Sequence, residues 1–559
     1  MKKNGAIIFI VLAILVFLGV FGVVKLSNTT KDPDKVAEQE AKKLEKRVNK
    51  INPEEKELVK GTVQLGTSSL AEELPDISKY PLSVEGNGVI NVEIFSSGEK
   101  AGEGNDGWLN DMAKKFNQSG AQINGNSVTV SIRQISSGTG ADYISSGKYL
   151  PDGYTPSNTL WGAIVQAQGQ DISIVSDRLV GNVSGVLISN KIKKELEKEY
   201  GEASLKTVVQ ATADGKMAMG YTNPFSSATG LNFLLETLYT YDSENILSDT
   251  AIQGFSAFQK NVPFVSYVTM QMREAAASGS LDGMIMEYQT YENDRELKSY
   301  QFIPFGLRHD NPLYAVGNIS SERREALQMF ADFCATDSAQ KKATEYGFNR
   351  LEDYSSALPE FDGAEVLEAQ NLWKENKDSG NSITAVFVAD VSGSMSGAPI
   401  NELRESLINA AQYINSENSI GLVSYSTDVS IDLPIAKFDL DQRTYFNGAV
   451  ENMVALGGTA TYDGIAVATK MLLDAKAADP DTKLVLFLLS DGQKNQGCDI
   501  GDIRKVLQAY QIPVYSIAYG SEADMDELKE VSGINEAAVI DADSDDVVYQ
   551  LKNLFNAQM

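Results

Sequence analysis

The sequence of 559 residues contains a single histidine, His309, and only two cysteines, Cys334 and Cys498. One histidine cannot build a histidine-based zinc cluster, and any Ser-His-Asp triad would have to include it. Because no nucleophile motif lies near His309 in the sequence, we expect it at the surface or in a loop. The two cysteines fall in different predicted domains, so we expect no disulfide framework and interpret each as a small buried or half-buried side chain.

Basic residues are scarce as well: 48 Lys and Arg stand against 76 Asp and Glu, which gives a net charge of −28. This charge argues against a nucleic acid or an anionic membrane surface as the main partner. The sequence also lacks a Walker loop and a dinucleotide-binding glycine fingerprint, and no carboxylate pair stands out as an acid–base pair. We therefore expect a binding protein that is not an enzyme, with two or three domains at this length.

One long apolar run is present at residues 6–24, after a basic flank at residues 1–5. As a helix it would span about 28 Å, close to the hydrocarbon thickness of a bilayer. We interpret it as an uncleaved transmembrane signal anchor. A cleaved signal peptide is the alternative, although the run is long for a signal core and no small-x-small cleavage site follows. Lysines flank both ends, so the charge rule orients the span only weakly.

Residues 25–86 are charged and poor in large apolar side chains. Within them Ala37, Ala41, Leu44, Val48 and Ile51 repeat at spacings of four and three, which is a short heptad seam. We predict a membrane-proximal stalk or linker containing one helix. Dimerisation through this seam stays open, and the sequence does not predict an oligomeric state.

Residues 87–360 alternate short strands with helices, and loops of Ser, Thr and Gly connect a strand to the next helix. Backbone N–H groups and the helix dipole favour anions at such points, and hydroxyl groups add donors. Residues 281–288 are predicted to form a strand that returns to the ligand site. The carboxylates of Asp282 and Glu287 on it would disfavour an anion, so the charge of the ligand stays open. The candidate ligand-binding residues are the hydroxyl residues of these loops: Ser96, Ser97, Ser136, Ser137, Thr139, Ser157, Ser226, Ser227 and Thr229.

The loop Asn223-Pro224-Phe225-Ser226-Ser227-Ala228-Thr229-Gly230, within this alternation, resembles the bacterial extracellular solute-binding proteins, the two-lobed receptors of ABC importers. The resemblance implies two small α/β lobes with a solute in the cleft between them, and lobe closure as the functional motion. We expect the chain to cross between the lobes near residues 160–176 and 261–289. Residues 361–382 are polar and charged, and we predict that they form an interdomain linker.

Residues 383–559 again alternate strands and helices, which predicts a parallel sheet covered on both faces. The apolar run 383–388 leads into a loop where Asp390, Ser392 and Ser394 present hard oxygen ligands on alternate residues, as Mg²⁺ requires. Thr459 follows a glycine turn, and Asp491 follows a second buried strand. Ligands of open α/β sheets collect at such strand ends.

Together these segments resemble the von Willebrand factor type A (VWA) domain and its metal-ion-dependent adhesion site. The resemblance implies a doubly wound, Rossmann-like sheet. It also implies that Asp390, Ser392, Ser394, Thr459 and Asp491 hold Mg²⁺, with Ca²⁺ and Mn²⁺ left open, and that an acidic residue of a protein partner completes the metal shell.

The sequence thus predicts an α/β protein with an N-terminal transmembrane helix, a two-lobed solute-binding-like domain and a VWA domain. We expect a single-pass protein of the cell membrane whose bulk is extracytoplasmic, an expectation that rests mainly on what the C-terminal part resembles. The expected function is binding or adhesion, with a protein partner at the metal and a solute in the cleft. The alternative is the substrate-binding component of an ABC importer, in which the VWA domain serves docking or regulation.

Overall fold

The computed structural model describes residues 33–555 except 64–68, 263, 267–280, 378–381, 521–522, 536, 538, 543–548, 550 and 553. The predicted anchor at residues 6–24 and its basic flank therefore lie outside the described residues. Within the described ranges, no helix combines the length and the apolar character that a bilayer crossing requires. The described residues form three sheets with helices on their faces.

The first sheet, which we call lobe 1, has the strand order β2-β5-β3-β6-β13-β7, and β4 pairs with β5. Its central pair β3–β5 is parallel, and alternate residues of β3 are buried under flanking helices. The strands are β2 (Leu82–Val84), β3 (Ile90–Ser96), β4 (Gln122–Ile123), β5 (Asn126–Gln134), β6 (Gly153–Thr155), β7 (Ile172–Ser176) and β13 (Leu313–Val316). Helix α2 (Leu70–Glu73) precedes these strands, and the helices that follow them are α3 (Gly98–Ala101), α4 (Trp108–Gln118), α5 (Ser137–Ser146), α6 (Leu160–Ala167), α12 (Ser321–Cys334) and α13 (Asp337–Glu345).

The second sheet, lobe 2, has the strand order β10-β9-β11-β8-β12. Its strands are β8 (Asn182–Ser189), β9 (Met219–Thr222), β10 (Phe264–Ser266), β11 (Gly283–Glu287) and β12 (Tyr300–His309). Its helices are α7 (Asn190–Tyr200), α8 (Leu205–Ala213), α9 (Ala228–Tyr241), α10 (Asp249–Gln259) and α11 (Tyr288–Asn293). The two-lobed α/β prediction is confirmed.

The positions predicted for the lobe crossings are wrong. The chain leaves lobe 1 after β7 and enters lobe 2 at β8, so the first crossing is residues 177–181. It returns between β12 and β13, at residues 310–312. In their described residues, the segments predicted to cross form α6 and β7 inside lobe 1 and β10 and β11 inside lobe 2, because their apolar residues are core positions there.

The third sheet has the order β1-β16-β15-β14-β17-β18-β19. Strands β14 (Ile383–Asp390) and β17 (Lys483–Ser490) lie at its centre and are buried nearly throughout, which explains their continuous apolar sequences. The other strands are β1 (Glu54–Glu55), β15 (Ser419–Tyr425), β16 (Val429–Lys437), β18 (Val514–Tyr519) and β19 (Val539–Ala542). Its helices are α15 (Ala398–Ala410), α16 (Leu440–Glu451), α17 (Thr461–Ala478), α18 (Ile500–Ala509) and α19 (Met525–Ser532). This is the predicted doubly wound C-terminal domain.

The predicted stalk does not stand apart from this domain. Its helix exists as α1 (Pro33–Ile51), but the seam residue Leu44 is only 2% exposed and belongs to the C-terminal core. Arg47 forms a 2.7 Å salt bridge with Asp502, and β1 pairs in parallel with β16. The heptad seam therefore packs, through Leu44, against the chain's own C-terminal domain.

The predicted linker at 361–382 is also wrong for most of its length. Residues Gly363–Asn376 form helix α14, which buries Val366, Ala369 and Trp373 in the core of the two lobes. Trp373 donates its indole N–H to the Tyr221 hydroxyl of lobe 2 at 2.6 Å. These apolar residues repeat at spacings of three and four, a helical period that the polar residues between them mask.

Candidate functional site

The predicted metal ligands lie at one end of the C-terminal sheet. Asp390 is the last residue of β14, and its Oδ1 accepts the Ser392 N–H at 2.8 Å. This turn brings the hydroxyls of Ser392 and Ser394 to 2.9 Å from each other. Gly393 donates its N–H to the Gly457 carbonyl at 3.0 Å, which joins this loop to the glycine turn that carries Thr459.

Asp390 is fully buried, yet it is held by hydroxyl groups rather than by a basic residue. Its Oδ2 accepts hydrogen bonds from Tyr425 at 3.0 Å and Ser490 at 2.7 Å. Burial raises the pKa of Asp390 to about 6, hydrogen bonds oppose the rise, and the Asp491 carboxylate adds to it. Two carboxylates that repel each other beside clustered hydroxyls are a donor set that fits a hard divalent cation.

The other two predicted ligands are positioned by backbone contacts at the same edge. Thr459 is buried, and its N–H donates to Asn495 Oδ1 at 3.0 Å. The Asp491 carboxylate accepts the Gln493 N–H at 3.1 Å. Across the described ranges, no group of three or more His, Cys, Asp and Glu side chains is arranged to hold a metal ion. The five predicted ligands are not a group of this kind, because only two of them are carboxylates and the other three are hydroxyl residues.

In lobe 1 the structure brings three of the predicted serines together. The Ser157 hydroxyl lies 3.3 Å from the Ser97 hydroxyl and 3.4 Å from the Ser137 hydroxyl. We call Ser97, Ser137 and Ser157 the hydroxyl cradle. They come from the ends of β3, β5 and β6, which are neighbouring positions at one end of the lobe 1 sheet.

The remaining predicted hydroxyls serve mainly as helix caps and loop contacts. Ser136 caps α5 by accepting the Thr139 N–H at 3.2 Å, and Ser227 caps α9 by accepting the Gly230 N–H at 3.2 Å. The Ser96 hydroxyl bonds to a neighbouring carbonyl. Ser226 contacts the other lobe through its carbonyl, which accepts the Gly138 N–H at 3.2 Å. The two lobes are therefore in direct contact at these loops.

In lobe 2, Glu287 is the last residue of β11, and its carboxylate forms a hydrogen bond with His309, the single histidine of the sequence. His309 Nδ1 lies 3.1 Å from Glu287 Oε1, and Thr229 donates its hydroxyl to the same oxygen at 3.0 Å. Asn182 donates to Oε2 at 3.0 Å. The expectation of a surface or loop position for His309 is wrong: it ends β12 and is fully buried. His309 is the last residue of the strand Tyr300–His309, whose polar and apolar residues do not alternate regularly, so no periodic pattern indicated its burial.

Ser184, His309 and Glu287 form a hydrogen-bonded series, since Ser184 Oγ lies 3.0 Å from His309 Nε2. The Ser184 hydroxyl also accepts the Asn232 side chain of α9 at 3.3 Å and is fully buried. A serine covered by a helix offers no open face to a substrate. The series therefore orients the Glu287 carboxylate and stabilises the end of the lobe 2 sheet.

Two charged residues next to the cradle were not among the predicted site residues. Glu99 Oε1 accepts hydrogen bonds from the Ser97 and Ser157 hydroxyls, and Lys100 is fully buried beside it. Their position was visible in the sequence, because they follow Ser96-Ser97-Gly98 directly. A charged pair inside a loop of hydroxyls is the signal that could have identified them.

Both cysteines are buried and neither forms a disulfide, as expected. Burial raises the pKa of the Cys498 thiol to about 12, with the Asp463 carboxylate adding to the rise. A thiol in such surroundings is unreactive at neutral pH.

Two family models match this chain. Residues 101–349 match the model for bacterial extracellular solute-binding proteins, and residues 385–557 match the model for the von Willebrand factor type A domain. The chain therefore contains a solute-binding domain followed by a VWA domain.

Three similar proteins each match part of the chain. Inter-alpha-trypsin inhibitor heavy chain H2 of Sus scrofa is 28% identical over 184 residues, which are 31% of this chain and 19% of that protein. A periplasmic thiamin binding protein covers 53% of this chain and 99% of its own, at 14% identity and a TM-score of 0.39. A von Willebrand factor type A protein from Catenulispora acidiphila covers 32% of this chain and 43% of its own, at 19% identity and a TM-score of 0.29. This chain thus spans about a fifth of the length of the curated relative.

Proposed function

From a chain that combines a solute-binding domain with a VWA domain, we propose a membrane-anchored, extracytoplasmic binding protein with two recognition sites. The VWA domain binds a protein partner through a divalent metal. The two-lobed domain binds a small solute in the cleft between its lobes. Both domain types are compatible with binding or adhesion, and the proposal includes no catalytic step.

The observation that carries this proposal is the set of oxygen donors at the end of the C-terminal sheet. Asp390, Ser392 and Ser394 share one turn, and the Gly393–Gly457 hydrogen bond brings the Thr459 loop to it. Asp491 follows β17, the strand adjacent to β14. Loops from three parts of the sequence thus supply the five donors, two of the loops at the ends of neighbouring strands and the third between two helices.

These five residues would hold Mg²⁺, and VWA domains commonly bind a divalent metal at this position. A bound cation would relieve the repulsion between the Asp390 and Asp491 carboxylates. It would also offer a Lewis-acidic position to an acidic side chain of a protein partner. The exposure of the Ser394 end of the loop supports access from outside the domain.

Calorimetric titration of Mg²⁺ tests the metal site. It should use the whole chain, because α1 and β1 pack on the VWA domain and a fragment starting near residue 381 would lack them. We expect saturable binding that Ser394→Ala weakens and Asp390→Ala abolishes. Ser396→Ala is the matched control, since Ser396 is an exposed serine of the same loop outside the predicted set. Equal Mg²⁺ affinity in folded Asp390→Ala and the unaltered protein would remove the metal assignment.

A substrate-binding role in an ABC importer is the second candidate, and the lobe contacts favour it. The hydrogen bond from the Gly138 N–H to the Ser226 carbonyl and that from Gln289 to the Asn105 carbonyl at 2.9 Å join the two lobes through two different pairs of segments. An importer component should bind one solute tightly and change its lobe separation on release. Small-angle scattering with and without solutes that raise the melting temperature tests this candidate, because unchanged scattering at saturating solute would count against an importer component.

The membrane anchor rests on the apolar run at residues 6–24. We expect the full chain to sediment with membranes and a chain beginning at residue 33 to be released from them. Protease added outside intact cells should then degrade the VWA domain. Protection of that domain in intact cells, with degradation only after lysis, would contradict the extracytoplasmic placement.

A further inference from the structure

The hydroxyl cradle of lobe 1 already holds a negative charge that belongs to the chain. Glu99 Oε1 accepts the Ser97 hydroxyl at 2.5 Å and also the Ser157 hydroxyl. Both serines had been predicted as donors to a ligand. The carboxylate of Glu99, only 14% exposed, therefore occupies the position where these donors would meet a solute anion.

Lys100 provides the counter-charge from the same loop. Its Nζ lies 2.5 Å from the Ser97 hydroxyl and 3.7 Å from Glu99 Oε1, and the side chain is fully buried. Burial lowers the pKa of Lys100, and the carboxylates of Glu99 and Glu287 oppose that change. Although burial alone would raise the pKa of Glu99, Lys100 and the Ser157 and Ser97 hydroxyls hold it below its ordinary value. A buried pair with these hydrogen bonds stays in place because removing one member leaves an uncompensated charge.

Two buried amides at the same loops lack partners among the described residues. Asn158 follows Ser157 directly, is 1% exposed, and has neither its amide oxygen nor its amide nitrogen in a hydrogen bond. Asn223 is also 1% exposed, and its amide nitrogen has no partner. It belongs to the lobe 2 loop that contacts Gly138 through Ser226. Buried amides usually have hydrogen-bond partners, so these two side chains can supply donors and an acceptor to a bound solute.

We propose that Glu99 acts as a built-in anion that fills the hydroxyl cradle, so that the cleft excludes small oxyanions and accepts neutral or cationic solutes. This inference rests on the proposed solute-binding role of the cleft. The Glu99 and Glu287 carboxylates both act on the buried Lys100 ammonium and oppose the fall of its pKa, so an added anion would meet two carboxylates there. A neutral or cationic solute can instead use the unpaired amides of Asn158 and Asn223.

Titration of sodium sulfate into the whole chain tests the proposal, with ionic strength held constant by chloride. We expect Glu99→Ala to bind sulfate at least about tenfold more tightly than the unaltered protein, a readily measurable difference. Glu103→Ala is the matched control, because it removes the same charge from an exposed position of the same loop. It should leave sulfate binding unchanged. Adding Ser157→Ala to Glu99→Ala should abolish the gain, because the cradle loses a donor.

If circular dichroism shows that Glu99→Ala does not fold, Glu99→Ser is tested in its place, because a serine side chain is nearly as small as alanine and leaves nearly the same space in the cradle. Sulfate binding by the unaltered protein as tight as that of the variant would overturn the inference, and so would folded Glu99 variants that bind no sulfate. A panel of neutral and cationic solutes, tested on the unaltered protein by thermal shift, reports separately on the proposed function. Solute binding in that panel without any sulfate gain would refute only the role of Glu99.

Discussion

The N-terminal strap, residues 54–62, lies against helix α16 so closely that Gly448→Ala should destabilise the protein. A Cβ added at Gly448 would lie 2.0 Å from the Val59 carbonyl oxygen and 2.7 Å from the Gly61 nitrogen. Both atoms are backbone, so no side chain can rotate away. The strap itself would have to move from the helix by about 1 Å, since nonbonded heavy atoms do not approach within 3 Å.

The expected cost comes from contacts that this movement would strain. Gly61 donates its N–H to the Thr444 carbonyl at 2.8 Å, and Asn447 donates to the Thr62 carbonyl at 2.8 Å. Such hydrogen bonds contribute about 1 kcal/mol each, and overpacking costs about 1–3 kcal/mol. Alanine gains about 1 kcal/mol over glycine inside a helix. We therefore expect Gly448→Ala to lower the free energy of unfolding by about 2 kcal/mol, whereas helix propensity alone would raise it.

Urea unfolding and limited trypsin digestion together measure this prediction. Lys56 and Lys60 lie on the strap, so trypsin should cut there faster in Gly448→Ala. Gly501→Ala is the control, because Gly501 lies in helix α18 with no atom within 4 Å of the added Cβ. It should be neutral or stabilising by up to about 1 kcal/mol. If Gly448→Ala behaves like Gly501→Ala in both assays, the strap does not pack on the helix as described.

Two further predictions concern buried carboxyl groups. Burial raises the pKa of Glu236 from 4.5 to about 7, against a hydrogen bond from the Gly306 N–H. As pH rises from 4.5 to 7, the free energy of unfolding of the unaltered protein should therefore fall by up to about 3 kcal/mol relative to that of Glu236→Gln. Urea unfolding measures both proteins across this range, and parallel pH profiles would contradict the prediction. Tyr549 donates a 2.7 Å hydrogen bond to Asp142, whose pKa burial raises to about 6. Tyr549→Phe should lower the free energy of unfolding by about 1–3 kcal/mol at pH 8 and by less at pH 5, where Asp142 is protonated. Equal falls in melting temperature at pH 5 and pH 8 would show that the hydrogen bond does not depend on the Asp142 charge.

The proposed metal site could be predicted from the sequence because its donors lie next to strong local signals. Asp390 and Asp491 come immediately after strands whose residues are almost all apolar, and neighbouring parallel strands end at the same edge. The folding of the chain then needs only to place adjacent strands side by side. Serine, threonine and glycine in the connecting loops complete a pattern that is readable without coordinates.

The buried charged residues of the proposed cleft were much harder to predict from the sequence, for a physical reason. Glu99 and Lys100 lie beside loop hydroxyls in the sequence, and Glu287 ends a predicted strand, but no local pattern in this acidic chain indicates that these charges are withdrawn from solvent. Their burial depends on the approach of two lobes whose sheets are formed by strands far apart in sequence. His309 is a similar case, because its partners Ser184 and Glu287 lie on β8 and β11.

The sequence by itself determined the alternation of strands and helices, the apolar stripe of the N-terminal helix and the order of the proposed metal ligands, because each depends on short stretches of neighbouring residues. Only the tertiary structure decided what these surfaces contact. Leu44 packs in the VWA core rather than in a second copy, and Trp373 lies between the lobes rather than in a linker. Apolar periodicity specifies that a face must be buried, whereas the identity of the surface that buries it depends on every other element of the fold.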